Sequence, residues 1–189
     1  MIKIGILGDI GSGKSYVAKQ FGYPVFNADN VVSKLYKKDK KVFKKLQKTL
    51  PKFIFSYPLN KSEIAKAILA NGRNLNKIIK IVHFEVRKKL ILFLKKNRNK
   101  KFVILDIPLL IENKINHKRD VLIFVQSKKS EINKRLKKRK NFNQKLYKKF
   151  KNIQLPLDYK KKKSNYIIKN DFTYKTIKKN IKNTLRKAL

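Results

Sequence analysis

Cysteine is absent from this 189-residue chain, histidine occurs twice, and only 11 residues are acidic. Without cysteine there is no disulfide framework and no thiolate to hold zinc or attack a substrate. Two histidines as far apart as His83 and His117 do not make a structural zinc site. Any metal is therefore expected to be a hard ion on oxygen ligands. Long apolar runs are missing too: Val103 to Leu105 and Ile107 to Ile111 fall far short of the roughly 20 residues that span a bilayer. The N-terminus shows no basic segment leading into a hydrophobic signal core. The expectation is a soluble, cytoplasmic protein without a membrane partner, and at this length one domain with small insertions suffices.

What the chain has in excess is lysine. Lys and Arg together number 51, for a net charge of +40. Taken alone, that suggests a polyanionic partner. The lysines, however, are spread over almost every segment beside abundant Asn and Ile, the residues that drift toward A+T-rich codons would produce. A solvated surface is the favoured reading, and no specific nucleic acid is expected. Arginine is scarce against this background, with seven residues: Arg73, Arg87, Arg98, Arg119, Arg135, Arg139 and Arg186. Where lysine suffices for a solvated charge, a retained arginine flags a planar, bidentate contact of the kind that grips phosphate.

Apolar patterning alternates strands and helices. Ile2 to Leu7 reads as a strand, followed by a glycine loop and a helix from about Lys14 to Phe21. An extended piece, Pro24 to Asn27, precedes a helix near Asn30 to Lys37, and further helices are expected around Lys41 to Leu50 and Ser62 to Leu69. From Leu75 to Lys96, Ile78, Val82, Val86, Leu90 and Leu94 recur every four residues and make one apolar stripe. Phe102 to Ile107 and Val121 to Val125 read as strands buried on both faces of a parallel sheet. Helical stretches at Lys129 to Lys138 and Asn143 to Ile153, a short strand at Tyr166 to Ile168, and a last helix through Ile177, Ile181 and Leu185 complete an α/β layered fold.

Gly8-Asp9-Ile10-Gly11-Ser12-Gly13-Lys14-Ser15 satisfies G-x-x-x-x-G-K-[ST] in full, with a strand before it and a helix after it. In that setting the backbone N–H groups cradle the β-phosphate of a nucleoside triphosphate. Lys14 bridges the β- and γ-phosphates, and the Ser15 hydroxyl ligates Mg2+. The [NT]-K-x-D element of a GTPase is absent, so a small phosphotransferase is favoured. Asp29 is expected at the end of the second strand, where a parallel sheet presents its ligand crevice. There it acts as general base, orients the acceptor and the metal, or simply caps a helix. Asp106, Glu112 and Asp158 are the other carboxylates in question. Asp106 either holds Mg2+ through water or caps a helix beginning near Pro108. Arg135 and Arg139, four apart on one helical face, either clamp phosphates or form a solvated face.

The residues resemble those of the dephospho-CoA kinase family over nearly the whole chain. The resemblance rests on "GDIGSGKS", "NAD" at Asn27 to Asp29, "HFEVR" at His83 to Arg87 and "DIPLLIEN" at Asp106 to Asn113. It continues through "RLKKR" at Arg135 to Arg139, Gln154, and "SNYIIKN" ending at Asn170. It implies a P-loop fold with a central parallel sheet, a core of about residues 1–30, 100–128 and 164–189, a helical acceptor-binding insertion of about 31–99 and a lid of about 135–163. The implied reaction is transfer of the γ-phosphoryl of ATP to the ribose 3′-hydroxyl of dephospho-CoA, by a monomer using Mg2+. Asp29 would be the base, with Lys14 and Arg139 the other catalytic residues. Gly8, Asp9, Ile10, Gly11, Ser12, Gly13, Lys14, Ser15, Tyr16, Arg135 and Arg139 would bind ATP. Asp29, His83, Arg87, Pro108, Leu109 and Leu110 would meet the acceptor. Mg2+ would be held by Ser15, with Asp29 or Asp106 through water. Asn27, Phe84, Phe150 and Asn165 depart from the family's usual residues. Other readings are a P-loop kinase for another metabolite or nucleotide and, from a different class, a nucleic-acid-binding ATPase.

Overall fold

The computed structural model describes residues 1–140 and 142–187, which form two compact units. The first unit comprises Met1–Asn27, Asn97–Phe142 and Lys151–Leu189. Its centre is β1 (Ile2–Gly8), flanked in parallel by β3 (Phe102–Asp106) and β4 (Val121–Gln126). β2 (Val25–Asn27) extends the sheet beyond β3 and β5 (Tyr166–Lys169) extends it beyond β4, giving the order β2-β3-β1-β4-β5 with every pairing parallel. The apolar runs of β1, β3 and β4 are buried on both faces, which is why they show no alternation.

On one face, Ile4, Ile6, Ile104, Ile123 and Val125 pack with Val17, Ala18, Ile177 and Ile181. The last four come from α1 (Lys14–Gln20) and α9 (Tyr174–Lys187). On the opposite face, Gly5 leaves room for Leu110: a Cβ there would overlap Leu110 and lie 2.9 Å from Leu122 Cδ2. Leu110 is fully buried, and this inward turn of the chain explains a difference from the sequence reading. No helix begins near Pro108; residues 108–114 are turns, closed by Ile115 N–H donating to Leu110 O at 3.0 Å. Asp106 therefore caps nothing there. The unit also contains α6 (Lys129–Lys137) and α8 (Leu157–Lys162). α8 was not expected, since "LDYKKK" has no apolar period.

The second unit comprises Ala28–Lys96 and Asn143–Phe150. α2 (Ala28–Lys38), α3 (Lys40–Thr49) and α4 (Lys61–Ala70) each pack against α5 (Gly72–Lys96). Ile78, Val82, Val86 and Leu90 of the four-residue stripe are buried, and Leu94 is half-buried. Asp39 caps α3 by accepting from the Lys41 and Val42 amides, both at 3.0 Å, and Asn60 caps α4 through the Ser62 amide at 2.9 Å. α7 (Gln144–Asn152) begins in this unit, and its last residues, Lys151 and Asn152, belong to the first.

Candidate active site

The phosphate motif lies at the carboxyl end of the central strand. Gly8 and Gly13 take φ of 143° and 86°, values that a side chain resists. A Cβ on Gly8 would stand 2.7 Å from Val125 O, and one on Gly13 would overlap Asn170 Nδ2. The loop is therefore bent tightly between β4 and the end of β5. It is also pinned from below: Ser12 O accepts from Ser127 Oγ at 2.9 Å and from Asn170 Nδ2 at 2.8 Å. Lys14 Nζ reaches back across the bend to Gly8 O at 3.1 Å and Asp9 O at 2.6 Å. Ser15 and Tyr16 are exposed on the first turn of α1. The Ser12 hydroxyl oxygen is buried without a hydrogen-bond partner.

Beside the loop is a cavity of about 280 Å³ lined by Asp9, Ser12, Ser127, Lys151, Asp158 and Lys161 among others. Three residues here went unread in the sequence. Lys151 pairs with Asp9 at 3.0 Å. Lys160, only 1% exposed, pairs with Glu112 at 2.6 Å and donates to Gln154 Oε1 at 3.0 Å. Ser127 supports the loop as described. Neither lysine carries a sequence signal, because each sits in a basic run whose other members are solvated. Glu112 and Gln154, both within the resemblance, prove to share this buried network, with Glu112 Oε1 also accepting from the Leu155 amide at 3.1 Å.

At the edge of the sheet, the Asn27 amide donates to Asp106, which is 2% exposed and lies opposite it in the β2–β3 register. Asp29 is exposed in the first turn of α2. It is thus neither at the end of the strand nor at the helix cap, because α2 starts directly after β2 with no loop between them. Its charge at that position suits the helix dipole.

Arg135 and Arg139 do not share a helical face, since α6 ends at Lys137 and Arg139 lies in the turn beyond it. Lys138 and Arg139 close that turn through Lys134 O and Leu136 O at 3.2 and 3.1 Å. The Arg135 guanidinium stacks 4.0 Å from the centre of the Phe172 ring. Phe172 abuts Gly13, so Arg135 reaches the loop through an aromatic ring. Within the second unit, His83 is half-buried and Arg87 exposed, one turn apart on α5. Between them Phe84 lies under the Lys45 and Lys88 ammoniums at 5.3 and 4.3 Å. Pro108 and Leu109 are half-buried ahead of the fully buried Leu110.

Asn165, where the family pattern commonly has aspartate, joins β5 to β4. Its Oδ1 accepts from the Leu122 amide and its own N–H donates to Leu122 O, both at 2.8 Å. That role needs a carbonyl oxygen and no charge.

This sheet order, with the glycine loop following the central strand and Lys14 folded across it, defines a P-loop kinase. Solved structures agree on the fold. The chain matches a Thermus thermophilus protein with a TM-score of 0.80 and 25% identity over 98% of this chain and 97% of that one. It matches a dephospho-CoA kinase from Campylobacter jejuni with a TM-score of 0.63 and 18% identity over 98% and 96%. The family model described as dephospho-CoA kinase matches residues 2–176, so the chain belongs to the dephospho-CoA kinase family, which is a family of ATP-dependent kinases. A Wolbachia pipientis dephospho-CoA kinase is 33% identical over 87% of both chains. One from Rickettsia bellii is 30% identical over 98% of this chain and 96% of its own.

Proposed function

We propose that this chain transfers the γ-phosphoryl group of ATP to the ribose 3′-hydroxyl of dephospho-CoA, giving CoA and ADP in the last step of coenzyme A synthesis. The observation that carries this reading is the folded phosphate loop with Lys14 drawn across it to two carbonyl oxygens, in a chain that belongs to this kinase family.

The residues from Gly8 to Tyr16 receive the triphosphate. Lys14 exchanges the Gly8 and Asp9 carbonyls for phosphate oxygens and offsets the charge that develops on them. Asp29, an exposed carboxylate two residues beyond β2, takes the proton of the 3′-hydroxyl as its oxygen bonds to the γ-phosphorus. The bond from that phosphorus to the oxygen of the β-phosphate breaks, and ADP leaves with the electron pair. His83 and Arg87 hold the acceptor, where the arginine fork suits a phosphate group. Pro108 and Leu109 line the acceptor side, with Leu110 anchoring them from below. Arg135 and Arg139 meet the nucleotide, Arg139 at its phosphates.

The donor set fits Mg2+. Ser15 offers a hydroxyl and Asp106 or Asp29 a carboxylate through water, all hard oxygens of the kind that ion takes beside substrate phosphates. When bound, the metal neutralises negative charge on the phosphate oxygens. Every residue given a role comes from one chain, so a monomer suffices.

ADP release with Mg·ATP, measured with and without dephospho-CoA and for Asp29→Asn, tests the assignment. Acceptor-dependent release that falls about 10²- to 10⁴-fold in the variant is expected. Release indifferent to dephospho-CoA would remove the acceptor assignment, and a near-normal kcat for the variant would remove the base.

A further inference from the structure

Lys151, in the last turn of α7, reaches the phosphate loop. Its Nζ donates to Asp9 Oδ2 at 3.0 Å and to Oδ1 at 3.2 Å. Asp9 Oδ1 also accepts from the Ile10 amide at 2.8 Å, while the carbonyl of the same residue accepts from Lys14 at 2.6 Å. Two ammoniums thus converge on one residue of the loop, one at its side chain and one at its main chain. The Asp9 side chain is 13% exposed and that of Lys151 is 41% exposed, so the ammonium is the partner more open to an arriving ligand.

A carboxylate within a loop that holds a polyanion is repulsive toward its ligand unless a cation offsets it. Phosphate oxygens, in turn, compete well for an ammonium. The cavity beside the loop brings Lys151 and Lys161 together with Asp158 and the partnerless Ser12 hydroxyl. A triphosphate entering there therefore meets an ammonium already within reach of the loop.

We propose that Lys151 is a second phosphate-binding lysine of the nucleotide site, held on Asp9 until a triphosphate arrives and then transferred to its phosphate oxygens. This rests on the ATP-dependent reading above. It assigns to Lys151 a role distinct from that of Lys14, which lies within the loop motif itself.

ATP binding by titration calorimetry, without acceptor, separates the possibilities when applied to the wild type, Lys151→Met, Lys151→Arg and Asp9→Asn. Lys151→Met is expected to weaken ATP roughly 10- to 100-fold, the worth of a charge-assisted contact, and Lys151→Arg to recover most of the loss. Asp9→Asn releases the ammonium and is expected to bind ATP at least as tightly as the wild type. In turnover, the Lys151→Met defect should appear in KM for ATP, with KM for dephospho-CoA unmoved. Equal weakening by Lys151→Met and Asp9→Asn would mean that the pair only braces the loop, and would overturn the proposal. Wild-type affinity in Lys151→Met would overturn it alone, whereas a wild type that binds no ATP would overturn it together with the kinase reading. Melting of each nucleotide-free variant checks that the fold is kept.

Discussion

The two units treat their few carboxylates differently. In the sheet unit, Glu112, Asp120 and Asp9 each meet a lysine ammonium, at 2.6, 3.1 and 3.0 Å. In the helical unit the buried acid, Glu63, is held by the Phe55 and Ser56 amides and the Ser56 hydroxyl. Asp39 likewise spends its carboxylate on two amides at the start of α3. Glu85 of the helical unit reaches Lys45 and Lys88 only at 3.9 and 3.5 Å. With 51 cations in the chain, a lysine near a carboxylate needs no special arrangement. Burial decides whether the pair matters, because desolvated charges must find each other.

Lys160 and Glu112 are where this difference can be broken most sharply. Their side chains are 1% and 9% exposed, and Glu112 Oε2 already lacks a partner. Lys160→Met should cost about 3–5 kcal/mol, because it leaves a buried charge uncompensated. The double variant Lys160→Met/Glu112→Leu should regain most of that loss. Urea midpoints of the three proteins check it; a double variant no better than the single would show that the lysine stem, rather than its charge, was needed. The Lys151–Asp9 pair in the same unit gives the contrast, since its ammonium is 41% exposed and ion pairs open to water contribute only about 0–1 kcal/mol to stability.

A smaller effect is expected at Gly13, where the sheet unit depends on backbone shape instead of charge. Alanine there takes on a left-handed φ of 86° and a clash with Asn170, the residue that holds Ser12 O. The conformational part costs about 1–2 kcal/mol. ATP affinity should fall by more than the melting temperature suggests, since the strain falls on the loop itself. Unchanged ATP affinity would count against the loop's tight seat on β5.

The sequence was most informative where residue identity is dictated by backbone geometry. The loop's glycines and lysine could be read at sight because few other residues can make that bend, and β1, β3 and β4 because burial on both faces leaves no polar position. Less could be read where the decision belongs to tertiary contacts. In Tyr159-Lys160-Lys161-Lys162-Lys163, four identical lysines follow one another, and only Lys160 is buried. The Glu112 carboxylate and the Gln154 side-chain oxygen distinguish it, and Glu112 is far off in sequence. The apolar run after Asp106 looked like the start of a helix but turns inward instead, because Leu110 fills the space left by Gly5. The spacing of Arg135 and Arg139 suggested one face, yet the helix stops between them at Lys137. Periodicity gives the phase of a helix and says little about its end.

The smallest effect, at Glu63, probes the other side of the comparison. Burial pushes its carboxyl pKa up, but the Ser56 hydroxyl, the Phe55 and Ser56 amides and the nearby Lys66 together outweigh burial and hold it below the ordinary value of 4.5. A carboxylate with a lowered pKa in the folded state stabilises the protein fully above its unfolded pKa, and that contribution is lost as pH falls through the folded one. Glu63→Gln keeps an acceptor oxygen and loses the charge, so near neutral pH it should cost about 1 kcal/mol. The gap between wild type and variant should then narrow as pH drops below 4.5, because the wild type's own carboxylate is becoming neutral. Urea midpoints measured across that range read the slope directly. A gap independent of pH would mean that the amides recognise the shape of the side chain and not its charge. In that case Glu63, unlike Glu112 beside the Lys160 ammonium, could give way to a neutral amide whose oxygen keeps the Phe55 and Ser56 amide hydrogen bonds.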